Sequence, residues 1–378
     1  RSQCIFPKKK TKIQRKIETS ERGKSIMKPL DGLLVLDLSQ LVAGPSATMM
    51  LADLGAHVIK VESPLGDQMR RMGSKLSGDE SAGWITYNRN KQDIVINIKN
   101  PKGKKVLDDL IARADIMVAA YRPGVTERLG INYESILEMN PKLIYCNFSP
   151  FGEEGPYANR SGVDLIWQAE SGLMSITGEQ NGDPLRVGFM VTDVIGGHWA
   201  VQSILAALLV RERTKKGTKI DINLFEVAVT MQAWQIAEYR VSKRLPIRVG
   251  NAPSEASPSG LFYTKDQPIV ISAYFPDMFR KLCNLIGKPE LADDPKFITN
   301  SDRVKNKAEL ERLIEHQLME RSANEWIPLF HKEGILCGRI QNYQDLLNDP
   351  QLNFDSIFDE VCHQSMGRLP VFAPPLSN

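Results

Sequence analysis

No motif that names a chemistry by itself is present in this 378-residue chain. There is no HExxH pair for a metal and no GxxxxGK[ST] loop for a nucleotide phosphate. The five cysteines, Cys4, Cys146, Cys283, Cys337 and Cys362, are an odd number without a close pair. That argues against a disulfide framework or a cysteine-held metal, and for a reducing compartment, the cytoplasm ahead of the mitochondrial matrix. The five histidines are equally scattered. A strong excess of either charge is also missing. The formal +3 comes from residues 1–26, which hold nine Lys or Arg against Glu18 and Glu21, while the rest carries 39 basic and 43 acidic groups. A slightly acidic body argues against a nucleic-acid surface. The basic head lacks the apolar core of a secretion signal and is richer in Lys and Glu than a transit peptide, so residues 1–26 read as a leader or non-native segment before a start at Met27. A charge-free run, VIGGHWAVQSILAALLV (194–210), is short for a membrane span and carries His198, Gln202 and Ser203, so it reads as a buried helix.

What the chain does have is an α/β alternation. LLVLDL (33–38) reads as a buried strand, GPSATMMLADLG (44–55) as a helix with Pro45 in its first turn and Gly55 as its stop, and HVIKVE (57–62) as the next strand. Strand, helix and strand in so few residues make a parallel pair. The theme repeats through DIVINI (93–98), a helix opened by Asn100 and Pro101, IMVAAY (116–121), a helical stretch around 132–139, LIYCNFS (143–149) and KIDINL (219–224). The expected fold is α/β, with a doubly wound parallel sheet. GNAPSEASPSG (250–260) reads as a loop; beyond it two strands, GLFYTK and PIVISA, precede amphipathic helices at about 276–287, 306–320 and 322–333, forming a smaller α+β lobe.

Two carboxylates stand out. Asp193, in FMVTDVIGGHWAVQ, precedes the apolar helix and reads first as its N-cap. Yet Gly196 and Gly197 would each cost that helix about 1 kcal/mol relative to alanine, so something must approach its backbone closely. The cap and a catalytic role are compatible, because a helix N-terminus favours the anion and an ionised carboxylate is a nucleophile toward a thioester. Asp164, in RSGVDLIWQAESG, reads as a second cap. Glu62 ends a strand where a dinucleotide fold would hold the NAD ribose, but the preceding turn, SQLVAGPS, lacks GxGxxG.

These stretches, with KPLDGLLVLDLSQLVAGPSATMMLADLGAHVIKVESP (28–64), NRNKQDIVINIKNPKG (88–103), GVDLIWQAESGLMSITGEQNGDPLRVGFMVTDVIGG (162–197) and GILCGRIQNYQDLLNDPQL (334–352), occur in an order and spacing that resembles the class III coenzyme A transferases of the CaiB/BaiF type. Within that family, NRNK and GDPLRVG look most like the branch that pairs succinyl-CoA with a dicarboxylate such as glutarate. The resemblance implies an acyl-CoA:carboxylate CoA-transferase with Asp193 as covalent nucleophile and Asp164 in a supporting electrostatic role. It places coenzyme contacts at Val42 and Ala43, at Ile96, Asn97 and Lys99, at Tyr121 as a flat surface for the adenine region, and at Arg128. Lys99 and Arg128 also have a physical reason to be there, since CoA carries phosphates. The implied ligands are acyl-CoA and small carboxylic acids as substrates, with no tightly bound cofactor, metal, nucleic acid or membrane. The implied architecture is an interlocked homodimer whose large Rossmann-like lobe spans 27–224 and 326–378, with the small lobe at 225–325. The chain departs from the family at Ala120 and Ser63 and lacks a glycine run in 250–260. An α-methylacyl-CoA racemase would share the fold but needs a histidine in 131–140, and there is none between His57 and His198. A catalytically silent CoA-binding protein, with Asp193 kept as a cap, is the remaining alternative.

Overall fold

The computed structural model describes residues 28–77, 80–122, 124–355, 357–363 and 367–372; the leader expected at 1–26, with Met27, lies outside them. The described chain divides into two units. One takes the residues up to Leu173, Val187–Val241 and those from Pro350 on; the other takes Met174–Arg186 and Ser242–Asp349.

The first unit is built on six parallel strands, β1 (Leu34–Leu38), β2 (His57–Glu62), β3 (Lys91–Val95), β4 (Ile116–Ala119), β5 (Ile144–Ser149) and β6 (Thr218–Asn223), in the order β3-β2-β1-β4-β5-β6. The strand order reverses between β1 and β4, the doubly wound arrangement expected from the sequence. β4 and β5 are buried along their whole length, which is why β4 is an unbroken apolar run and β5, with Ile144, Tyr145, Cys146 and Phe148 around the buried polar Asn147 and Ser149, does not alternate with exposed positions. Alternate residues feed opposite faces. Val35, Ile116, Val118 and Ile144 pack with α1 (Ala43–Asp53) and α7 (Val191–Thr214), whereas Leu36, Met117 and Tyr145 pack with α3 (Pro101–Ile111) and α5 (Tyr133–Met139). The unit also holds α2 (Ala82–Asn88), α4 (Val125–Leu129), α6 (Asp164–Glu170) and α8 (Leu224–Thr230), among other short elements.

The glycines of α7 receive a structural answer here. A Cβ on Gly197 would lie 2.1 Å from Ser46 Oγ and 3.1 Å from the Ala43 carbonyl, and one on Gly196 would lie 2.5 Å from Leu224. What approaches the backbone is α1 and α8, not a ligand. By length and composition α7 could cross a membrane. It buries one face, with Ala200, Ile204 and Ala207 in the core, while Trp199, Leu209 and Val210 are exposed, so the expected buried helix is buried on one side only.

The second unit departs from the expected 225–325: its main part runs later, Ser242–Asp349, and it also takes the earlier Met174–Arg186. Leu224, Val227 and Ala228 of α8 close the core of the first unit, while Trp326, Phe330 and Ile335 complete that of the second. Its three-stranded antiparallel sheet, ordered β9-β8-β7, comprises β7 (Ser259–Tyr263), β8 (Pro268–Ser272) and β9 (Leu336–Arg339). Against it pack α9 (Pro276–Leu285), α10 (Lys307–Leu318) and α11 (Ala323–Glu333), through Leu282, Leu310 and Phe330.

Candidate active site

At the carboxyl ends of β1, β2, β3 and β4, beside the reversal of strand order, lies a cavity of about 380 Å³. That is where open α/β sheets bind ligands. Leu38, Glu62, Ile96, Asn97, Lys99 and Tyr121 are among its walls, so four of the seven expected coenzyme residues meet there. β3 stops at Val95, short of the expected Ile98, because Asn97 Oδ1 accepts from Lys99 N (3.1 Å) and turns the chain into Asn100, the N-cap of α3. Val42 and Ala43 are buried and lie outside the lining; they form the N-cap and first residue of α1, just past Ser39 and Gln40, which do line it. Arg128 is exposed on α4 and also outside the lining, although Val125 and Leu129 of the same helix belong to it. Burial, and Asp37 beside it, push the Tyr121 phenol up to about 12, so it serves as a neutral surface.

Gly103 backs the wall at Asn97. Its missing Cβ would fall 2.2 Å from the Asn97 carbonyl oxygen, a backbone atom that cannot swing aside. Gly103→Ala should therefore displace the Asn97–Lys99 turn and raise KM for acyl-CoA about tenfold with kcat nearly constant, as read from steady-state assays.

Under the cavity floor lies a buried charge network that the sequence reading misses. Lys60 lies 2.9 Å from Asp67 and 3.8 Å from Asp37, and Lys91 lies 2.8 Å from Asp37; all four side chains are at most 1% exposed. Burial opposes the ionised form of Asp37, but the two ammonium groups outweigh it and hold its pKa well below the usual range. Burial brings Lys91 down to about 8, against the pull of Asp37. The network also holds backbone: Lys60 donates to the Ser39 carbonyl (2.8 Å), Asp67 accepts from Leu41 N (3.2 Å), and Lys91 donates to the Pro45 carbonyl (2.9 Å). It thereby fixes the turn from Ser39 to Pro45. Glu62 is engaged as well. Arg70 binds it through Nε and Nη2 (2.9 and 2.8 Å) and Asp67 N donates to it, so no carboxylate is free for a ribose.

Neither expected cap caps its own helix. The N-cap of α7 is Met190, with Asp193 inside the first turn; the N-cap of α6 is Val163, with Asp164 its first residue. Asp164 instead accepts from the Thr192 N–H of α7 (2.8 Å) and from Gln168 Nε2 (2.5 Å), while Gln168 Oε1 accepts from Val187 N (2.8 Å). It thus satisfies an otherwise orphaned donor at the start of the other helix. Among the described residues the Asp193 carboxyl has no hydrogen-bond partner. Its pKa is raised to about 7, mainly by burial and further by the charge of Asp164. This corrects the expectation that the helix terminus keeps it fully ionised, since burial and a like charge outweigh the dipole. Tyr87 of α2 faces the same carboxyl, and burial, with the charge of Asp193, raises its pKa. A carboxyl that is poorly solvated, unpartnered and near-neutral in pKa can attack an activated acyl group without a proton shuttle.

The sequence profile described as CoA-transferase family III matches residues 30–378. The chain belongs to that family. This CoA-transferase is 39% identical over 349 residues to human succinyl-CoA:glutarate CoA-transferase, covering 92% of this chain and 80% of that protein. It is 38% identical to the acetyl-CoA:oxalate CoA-transferase of Acetobacter aceti, covering 85% and 83%. Among solved structures, a CaiB/BaiF family protein from Brucella suis superposes with a TM-score of 0.84 at 35% identity, covering 93% of each chain. The activity of the present chain is transfer of CoA between acyl-CoA and carboxylates.

Proposed function

We propose that Asp193 carries the transferred CoA as an aspartyl thioester. The observation that supports this is its carboxyl in the first turn of α7, unpartnered among the described residues, beside an Asp164 already held by two donors. The Asp193 carboxylate attacks the donor thioester carbonyl; the C–S bond breaks, leaving a mixed anhydride and CoA thiolate. The thiolate then attacks the aspartyl carbonyl, expelling the donor acid. The acceptor carboxylate attacks the resulting aspartyl thioester, and the released thiolate takes the acceptor acyl group, restoring Asp193. Every nucleophile enters as an anion, so no general acid or base is needed. The coenzyme lies along the cavity lined by Ile96, Asn97, Lys99 and Tyr121, with Val42 and Ala43 contributing the turn into α1 and Arg128 a charge near α4. Succinyl-CoA and a dicarboxylate such as glutarate are the proposed pair, supported by the relative named above. We place the protein in the cytoplasm, as a homodimer of interlocked chains with a Rossmann-like large lobe; exposed Trp199, Leu209 and Trp234 offer apolar surface for the second copy.

Mass spectrometry tests the covalent step. After incubation with succinyl-CoA and reduction by borohydride, the Asp193 peptide should carry an alcohol in place of the carboxyl; an unmodified peptide from protein that binds CoA would overturn the proposal. The pH dependence follows from the pKa near 7. Below it the nucleophile is protonated, so kcat/KM should fall about tenfold per pH unit on the acid side and level off above. Asp164→Asn removes the like charge, and its acid limb should move to lower pH.

A further inference from the structure

A second cavity, of about 500 Å³, adjoins the first. Gln40, Ser63, Leu65 and Gly66 line both, so the turn after β2 is the shared rim. On its far side stands Arg71. Its neighbour Arg70 is fully engaged, binding Glu62, Glu80 and Asp93 and lying 3.6 Å over the Trp84 ring. Arg71 is exposed and has no carboxylate partner among the described residues; one Nη2 bond to the Leu65 carbonyl (2.5 Å) steadies its head and leaves the other donors free. The nearby acids are claimed, Glu62 by Arg70 and Asp67 by Lys60. The joined cavities are thus flanked by two cations that lack a carboxylate partner among the described residues, Lys99 on one side and Arg71 on the other.

CoA presents phosphate at two places, the pyrophosphate leading toward the thiol and the 3′-phosphate on the adenosine ribose. The thiol end must reach Asp193 on α7, which packs against the N-terminus of α1 through Gly197. The pyrophosphate would therefore pass the turn leading into α1, where Ser39 and Gln40 line the first cavity. That leaves the ribose end directed away, toward the turn after β2. We infer that Arg71 binds the adenosine 3′-phosphate, and so sets the preference of this enzyme for CoA over its 3′-dephospho form. Exposed Leu65 and Met72 stand beside it in the second cavity, while the adenine keeps the Tyr121 face of the first. The inference rests on the reading of the first cavity as the coenzyme site.

Isothermal titration of CoA and 3′-dephospho-CoA into wild type, Arg71→Met and Arg71→Lys tests it without turnover. Wild type should bind CoA about tenfold more tightly than dephospho-CoA. Arg71→Met should lose that ratio by weakening CoA alone, and Arg71→Lys should recover part of it. An unchanged ratio in Arg71→Met, or equal weakening of both ligands, overturns the assignment. Borohydride trapping at Asp193 on the same preparations separates the two readings. Trapping with an unchanged ratio refutes only Arg71, whereas a lost ratio without trapping supports Arg71 and refutes the aspartyl thioester.

Discussion

Asp193→Asn should lower kcat for CoA transfer by at least about 10⁴-fold while leaving CoA affinity within a small factor, because in the proposed mechanism the residue makes the transferred bond and the coenzyme is held along a separate cavity. Asparagine keeps the volume and removes the attacking anion, so loss of activity with preserved binding isolates the covalent role. The same variant should be more stable than wild type at alkaline pH. The folded pKa of Asp193, about 7, lies above the ordinary 3.8. A raised carboxyl pKa means that the fold favours the protonated form: that contribution is complete below about pH 4 and is lost as pH rises through about 7. The substituted asparagine bears no charge at any pH. The melting temperatures should therefore be close at about pH 4 and separate in favour of the variant by several degrees at about pH 8. A nucleophile held where its charge is disfavoured is the expected exchange of stability for activity. Equal melting curves at both pH values would place Asp193 in a solvated site and remove the reason for its raised pKa.

The sheet is legible from sequence for a definite reason. β4 is buried on both faces, so its segment is a continuous apolar run, and β5 departs from one only at Asn147 and Ser149, a pattern that no amphipathic element imitates. The position of Asp193 in a helix entry is legible too, but the partners are not. The hydrogen bond from Thr192 N to Asp164 joins residues 28 apart in the chain, and no local pattern distinguishes an acid that caps its own helix from one that caps a neighbour. Gly196 and Gly197 signal a close approach correctly, yet whether the visitor is a helix or a ligand depends on packing between α7, α1 and α8. The buried charges leave a signal that a stricter reading could use. Asp37 and Lys60 interrupt strands otherwise made largely of Leu, Val and Ile, and a charge in such a run must be paired. Nothing local marks Lys91 as their partner, since it begins β3 beside Gln92 and Asp93.

Lys60→Met should cost roughly 3–5 kcal/mol of stability, the usual result of removing one member of a buried ion pair. Methionine fills much the same volume, so the loss reports charge rather than a cavity. Asp67 would keep its bonds from Leu41 N and Met69 N but lose its cation, and Asp37 would retain Lys91 alone. Denaturant midpoints for the first unfolding transition would measure the loss. Adding Asp67→Asn removes the stranded charge while preserving an acceptor for both backbone donors, so the double variant Lys60→Met/Asp67→Asn should be more stable than Lys60→Met alone. That recovery separates an unpaired charge from simple misfolding, because a second core substitution would otherwise add damage. A functional trace should persist in both. Lys60 ties the Ser39 carbonyl, and Asp67 ties Leu41 N, beneath the cavity proposed for the coenzyme. Where only the charge is repaired, the Ser39 tether remains lost. The double variant should therefore fold yet still show a raised KM for acyl-CoA, which would make the network a positioning device for the turn as well as a support for the sheet.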